Sequence, residues 1–177
     1  MDIARQLADR LKSLRQHYGW SLSEAASRTG VSKAMLGQIE RQESSPTVAT
    51  LWKLATGFNV PFTELLMPDL DGESQPQATM VATPLFPYDP QLNLDYLALR
   101  LEPGATSQSE PHQHGVIEHV VVVSGLLCLT TPDGKWELRA GEGWRFAGDV
   151  THSYHNPGAV PVLFHSLIHY PPSAGEK

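Results

Sequence analysis

The apolar residues of this chain follow one rhythm up to about residue 66 and another after about residue 80, and no single sheet or helix bundle accommodates both. Near the start, Ile3, Leu7, Leu11, Leu14 and Tyr18 recur at spacings of three and four, which places them on one stripe of an α-helix. Towards the end, runs such as "IEHVVVVSG", "LLCLTTPDGKWELRAG" and "VLFHSLIHY" are β-branched or aromatic and are cut by turn residues, the pattern of short strands. "PDLDGESQPQATM", between the two, is rich in Pro, Gly, Ser and Gln and reads as a linker. The expected organisation is a helical domain over 1–68, a linker over 69–80, an all-β domain over 81–172 and a tail over 173–177. A chain of 177 residues is long enough for two small cores.

Charge divides the same way. The overall net charge of −6 argues against a nucleic-acid partner, but it is unevenly spread. Residues 1–70 hold eight Lys/Arg against seven Asp/Glu, a net of +1, while the rest hold five against twelve, a net of −7, with seven of the eight histidines. Two domains with different partners are implied. No apolar run approaches the roughly 20 residues of a membrane span, so no membrane partner is expected. "MDIARQLADR" lacks the apolar core of a signal peptide. The lone Cys128, expected to be buried in a strand, has no partner for an intrachain disulfide. All three agree with a cytoplasmic location.

In the helical part, Gly19 ends the first helix, Ser21 and Glu24 have capping-box spacing for a second, and Gly30 stops it. Ser32 caps a third, "KAMLGQIERQ", and Thr47 a fourth, "VATLWKLATGF"; "FTELL" is a short fifth. Ala25, Ala26, Val31, Leu36 and Ile39 would pack helices two and three together, leaving Lys33, Ala34, Met35, Gln38 and Arg41 outward. That arrangement suits a helix entering a major groove. Gln38 can pair with adenine, Lys33 with guanine or phosphate, and Ala34 or Met35 can touch a thymine methyl. Ser21, Ser23 and Ser32, at the helix starts, suit phosphate. The wording "LRQHYGWSLSEAASRTGVSKAMLGQIERQESSPTVATLWKLATGFNV" resembles the helix-turn-helix of the phage-repressor-like, or XRE, regulators. The resemblance implies a five-helix, lambda-repressor-like domain that binds double-stranded DNA, with Arg15 and Glu40 as an ion pair between helices one and three.

In the β part, "PHQHGVIEHVVVVSG" gathers three histidines and a glutamate within eight residues. Successive side chains of an extended strand alternate faces, so His112, His114 and Glu118 would share an interior and His119 would point away. One strand does not complete a tetrahedral or octahedral site, and "GDVTHSYHN" offers His152. Gly104 to Gly125 resembles the first cupin motif, a glycine followed by HxH, three residues, Glu, six residues and Gly, although seven residues separate Gly104 from His112. Gly141 to Asn156 resembles the second motif, with His152 and Asn156 in register but Ala147 in place of its proline and Asp149 in place of its glycine. The resemblance implies a cupin (double-stranded β-helix, jelly-roll) barrel with His112, His114, Glu118 and His152 converging inside it. Such a set suits Zn, Mn, Fe, Ni or Cu rather than Ca or Mg. A bulge at Gly115 would substitute His119 for Glu118, while the spacing to Gly125 favours Glu118. Arg100, His119, Arg145, Tyr154 and His165 are candidates for holding an organic ligand.

The layout, a multidomain α + β chain with an XRE-type head and a cupin tail, resembles the bacterial cupin-type regulators. It implies a transcription factor, not an enzyme, whose barrel binds a small-molecule effector with the help of a divalent transition metal. It further implies a homodimer held mainly by its barrels on a palindromic operator. The rival reading is a metal-dependent cupin oxygenase or isomerase fused to a DNA-binding head.

Overall fold

The computed structural model describes residues 3–66 and 79–171 of two compact units, 1–73 and 74–177. Residues 69–78 of the expected linker and all of the expected tail lie outside the described residues. Among the described residues no helix is long and apolar enough to cross a membrane.

Five helices make the first unit: α1 (Ile3–His17), α2 (Leu22–Thr29), α3 (Lys33–Glu40), α4 (Val48–Phe58) and α5 (Phe62–Leu66). Local chemistry sets their ends. Ser21, Ser32 and Thr47 accept hydrogen bonds from the backbone N–H of Glu24, Met35 and Thr50, each cap contributing about 1 kcal/mol. The capping box is only half built, because the Glu24 carboxylate pairs with Arg28 at 2.8 Å. Gly30, at φ 66°, closes α2. Reading the third helix through Gln42 overshoots: α3 stops at Glu40, and Gln42 takes a left-handed φ of 61°. Leu11, Leu36, Leu54, Phe58 and Phe62 are fully buried, each stabilising the unit by about 1.5–3 kcal/mol. A Cβ on Gly57 would lie 2.5 Å from the Thr29 backbone, so the close approach of α4 to α2 requires glycine there.

The second unit is nine strands in two antiparallel sheets: β1 (Met80–Asp89), β2 (Leu94–Leu101), β3 (Thr106–Ser109), β4 (Ile117–Ser124), β5 (Leu126–Thr131), β6 (Gly134–Arg139), β7 (Gly143–Ala147), β8 (His152–His155) and β9 (Val162–His169). One sheet runs β1-β2-β9-β4-β7 and the other β3-β8-β5-β6. Pro132 and Asp133 make the two-residue turn that pairs Thr131 with Gly134, as the "PDG" signal requires. Alternation puts Leu97, Leu99, Val120, Val122, Leu127, Leu129 and Phe164 inside. Cys128 takes an intervening position on β5 and is half-buried, not buried as expected.

Candidate functional site

The two units offer chemistry in different ways. In the first, the buried side of α3 is Leu36 and Ile39, against Ala25 and Val31, whereas Ala26 is only half-buried. That packing leaves Lys33, Ala34, Gln38 and Arg41 exposed and Met35 half-buried. Met35 sulfur lies 3.7 Å from the Ser44 hydroxyl. Ser21, Ser23 and Ser32 are exposed at the starts of α2 and α3; the capping serines accept from the backbone and keep an O–H to donate. Arg41 is not idle: its guanidinium donates to both Glu43 oxygens at 2.9 and 2.7 Å, which raises the arginine and lowers the carboxyl. Beneath this surface Arg15 grips Glu40 with two bonds, 2.6 and 2.9 Å, and donates a third, 3.0 Å, to the Trp20 carbonyl. The hydrogen bond to Glu40 and its charge push the Arg15 guanidinium further up against the effect of burial, and the pair fixes α3 on α1.

In the second unit His112, Glu118 and His152 bring one donor atom each to within 4.8 Å of one another, with exposures of 6%, 2% and 2%. Glu118 sits on β4, His152 begins β8, and His112 is held by its backbone N–H donating 3.0 Å to the Gly148 carbonyl. Glu118 Oε2 accepts from Tyr154 at 2.9 Å and from Ser166 at 3.2 Å. Glu118 Oε1 lies 3.0 Å from His112 Nε2 and 3.4 Å from His152 Nε2, yet it accepts no well-aligned hydrogen bond. The His152 Nδ1–H donates 2.9 Å to the Val150 carbonyl, which leaves its Nε2 with a lone pair facing Glu118. Gly148 closes the centre, since a Cβ there would come within 3.0 Å of Glu118 Oε1.

The electrostatics match. Burial pushes the Glu118 carboxyl up, but His112, His152 and the Tyr154 hydroxyl outweigh it and hold it at about 2. Burial pushes the His152 imidazole down against the pull of Glu118. Burial and the neighbouring carboxylate keep the Tyr154 hydroxyl protonated. A buried carboxylate oxygen that accepts no well-aligned hydrogen bond and faces two imidazole nitrogens is what a divalent ion would satisfy. Metal–ligand bonds of about 2.0–2.2 Å keep donor atoms roughly 3–4 Å apart, as the two distances from Glu118 Oε1 to the imidazole nitrogens are.

His114 does not join this group. Its side chain is fully exposed, at 101%, and its Nδ1 lies 2.9 Å from Asp149 Oδ2. The alternation that would put it beside His112 and Glu118 assumes a strand from residue 112, but β4 begins only at Ile117 and Gly115 turns the chain at φ 89°. Asp149 fixes that turn by also accepting from the Gly115 N–H at 2.8 Å, so its departure from the cupin pattern bears on a ligand candidate. Gly115 does not bring His119 inward: Glu118 is the inward residue, and His119 packs on His169 on the opposite face of the sheet.

Of the candidates for an organic ligand, only Tyr154 faces the centre. Arg100 pairs with Glu102, Arg145 is exposed beside His119, and His165 faces outward with its Nδ1 3.0 Å from the Tyr96 hydroxyl. These positions alternate with the buried residues of β2, β7 and β9. Ser166 and Gly148 are the residues that sequence reasoning missed; Ser166 is the polar break among Phe164, Ile168 and the other inward residues of β9. Asn156 holds a turn, donating to the Leu101 and Val160 carbonyls.

Comparison with known proteins agrees with both halves. The helix-turn-helix family matches residues 11–65 and the cupin domain family residues 98–168. The chain is 58% identical to the HTH-type transcriptional regulator SutR of Escherichia coli (strain K12), over 97% of this chain and 99% of that one. It is 24% identical to the HTH-type transcriptional regulator PuuR of the same organism, over 85% and 87%. The crystal structure of an HTH_3 family transcriptional regulator from Vibrio cholerae is similar with a TM-score of 0.86 at 40% identity, over 96% of this chain and 97% of that one. The cupin domain of an XRE family regulator from Enterobacter cloacae gives 0.51 at 52% identity, over 52% and 98%.

Proposed function

Since the chain belongs to the helix-turn-helix transcriptional regulators that carry a cupin domain, we propose that its barrel is a metabolite sensor whose divalent metal is held by His112, Glu118 and His152. The observation that carries this reading is the buried Glu118 Oε1, which accepts no well-aligned hydrogen bond and lies 3.0 and 3.4 Å from two imidazole nitrogens. Three borderline or hard donors suit Zn, Mn, Fe, Ni or Cu. When bound, the ion supplies a Lewis-acidic point for a donor atom of the effector. Tyr154 and Ser166 occupy Glu118 Oε2 and so keep the carboxylate presenting Oε1 alone. Val150 holds the His152 ring in the tautomer that presents Nε2.

At the other end, Lys33, Ala34, Met35 and Gln38 read base edges while Ser21, Ser23, Ser32 and Arg41 hold phosphates. Two copies on a palindromic operator supply the contacts that one head lacks. Effector binding in the barrel changes DNA affinity only through a difference between the two states of the dimer. The barrel senses without turning its ligand over.

The test is metal content and operator binding of the full chain purified with Zn or Mn, using DNA selected from a random pool. The proposal expects one metal per chain, lost in His152→Ala, with operator binding that responds to a co-purifying small molecule only in the metal-loaded protein. Effector response undiminished in a metal-free variant overturns the metal's role; steady consumption of the co-purifying molecule overturns sensing without turnover.

A further inference from the structure

Among the described residues β7 is the end strand of one sheet and β6 the end strand of the other, and no main-chain ladder joins them. Two tryptophans stand at that seam. Trp144 on β7 pairs with Val120, and Trp136 on β6 pairs with Leu129. Directly paired residues share a face of the sheet, and Val120 and Leu129 are buried, so both indoles lie on the inward side. Their rings stack with centroids 4.8 Å apart at 30°. An inward tryptophan is ordinarily well buried, yet Trp144 keeps 39% of its surface in solvent, against 7% for Phe146 two positions along the same face.

The indoles are continuous with the buried centre. Phe146 sets its ring edge-on to His152, with centroids 5.1 Å apart. The row Trp136, Leu129 and Tyr154 crosses β6, β5 and β8 and ends on the hydroxyl that donates to Glu118. Apolar and aromatic side chains therefore lead from solvent at Trp144 to the carboxylate and the imidazole. Among the described residues the inward positions of β2 to β9 hold no lysine or arginine. Their acidic side chains are Glu118 and Asp95, and the Tyr170 hydroxyl donates to Asp95 at 2.7 Å.

We propose that Trp136 and Trp144 form a ring-binding subsite, and that the effector is a small aromatic monoanion, one ring carrying a carboxylate or a similar anionic donor. The inference deepens the proposed function and rests on its metal centre for the charge argument. A divalent ion beside one carboxylate leaves a single positive charge in a buried site, and charge left unbalanced there is costly. One anionic donor neutralises it. A second negative group would find no guanidinium or ammonium on the inward face. The rest of the ligand has apolar walls to meet, and indole faces take a flat ring in the offset stacking that they already make with each other. The exposed part of Trp144 is surface that such a ring would cover. With no ladder between β6 and β7, the indoles can part by side-chain rotation while both sheets keep their pairing.

The test titrates benzoate into the zinc-loaded full chain by calorimetry, with tryptophan fluorescence in parallel, and repeats it with acetate and with cyclohexanecarboxylate. Benzoate should bind at least about tenfold more tightly than either and change the tryptophan emission. Trp144→Leu alters a side chain already partly in solvent, so zinc content and the thermal transition should be unchanged. It should lose about tenfold in benzoate affinity while binding acetate within about threefold of wild type, and Trp144→Phe, which keeps a ring, should recover most of the loss. Benzoate bound no more tightly than cyclohexanecarboxylate, or with undiminished affinity in Trp144→Leu, would overturn the aromatic subsite and leave the metal centre standing. A wild-type chain that takes up no zinc would overturn the metal reading itself, and metal analysis shows that before any benzoate is added.

Discussion

Lys33, Ala34, Gln38 and Arg41 in the first unit stand in solvent, whereas His112, Glu118 and His152 in the second are almost wholly withdrawn from it. The proposed partners account for the difference. A duplex is larger than the domain and must be touched from outside, so the core of the head serves only to hold α3 at the right angle. A small molecule or an ion can be surrounded, and removing water strengthens each interaction inside. Substitutions at the outer surface should therefore change recognition and spare stability, and substitutions at the buried centre should change both.

The largest effect is expected at the centre. His152→Ala should weaken zinc binding by more than about 100-fold, since it removes a ligand outright rather than one of the supporting groups; isothermal titration against zinc decides it. Wild-type affinity would show that the three side chains do not act together. Next comes the support of the recognition helix. Arg15→Met strands the half-buried Glu40 carboxylate and should destabilise the head by about 3 kcal/mol, with much of that regained by adding Glu40→Leu. Denaturant unfolding of the head transition checks this, and losses that simply add would mean the pair is not coupled.

The same comparison explains what could be read in advance. The head was legible nearly throughout, down to the caps at Ser21, Ser32 and Thr47, because helix ends are set by neighbours in sequence. β4, β5, β6 and β9 and the hairpin at Pro132–Asp133 were legible for the same reason, whereas β1, β3 and β8 were not singled out as strands. His114 was not. Its place depends on Asp149, 35 positions away, and on a turn at Gly115 that period-two reasoning passes over. Arg100, Arg145 and His165 were assigned from residue type; their direction depended on register, which only the paired strands fix. The Ser166 bond to Glu118 joins β9 to β4, and nothing local to either strand announces it.

Smaller effects sharpen the contrast. Gln38→Ala should cost about 1–3 kcal/mol on the selected operator and relax preference at one base pair; an equal loss on random DNA would make Gln38 a phosphate contact. In acid the metal-free barrel should weaken before the head. The His152 imidazole is held below its ordinary 6.5 in the folded chain, so the unfolded chain binds more protons as pH falls below about 6.5 and stability falls with it. Glu118, held at about 2 against an ordinary 4.5, removes more between those values. Thermal unfolding followed by domain-specific probes at pH 7, 5 and 4 (about these values) reads both transitions, and a head that melts first in acid would contradict the assignment. His114→Ala should do least, changing zinc affinity by no more than about threefold because the side chain points into solvent; a loss matching that of His152→Ala would mean that it swings inward when the ion binds.

DNA recognition on one surface and ligand chemistry in a separate buried centre should be separable by substitution. The most direct measurement takes His152→Ala and the wild type, and determines zinc content and affinity for the selected operator on the same preparations. One zinc per wild-type chain, none in the variant, and basal operator affinities within about threefold of each other, less than about 1 kcal/mol, are expected. Zinc retained at full stoichiometry in the variant would contradict this.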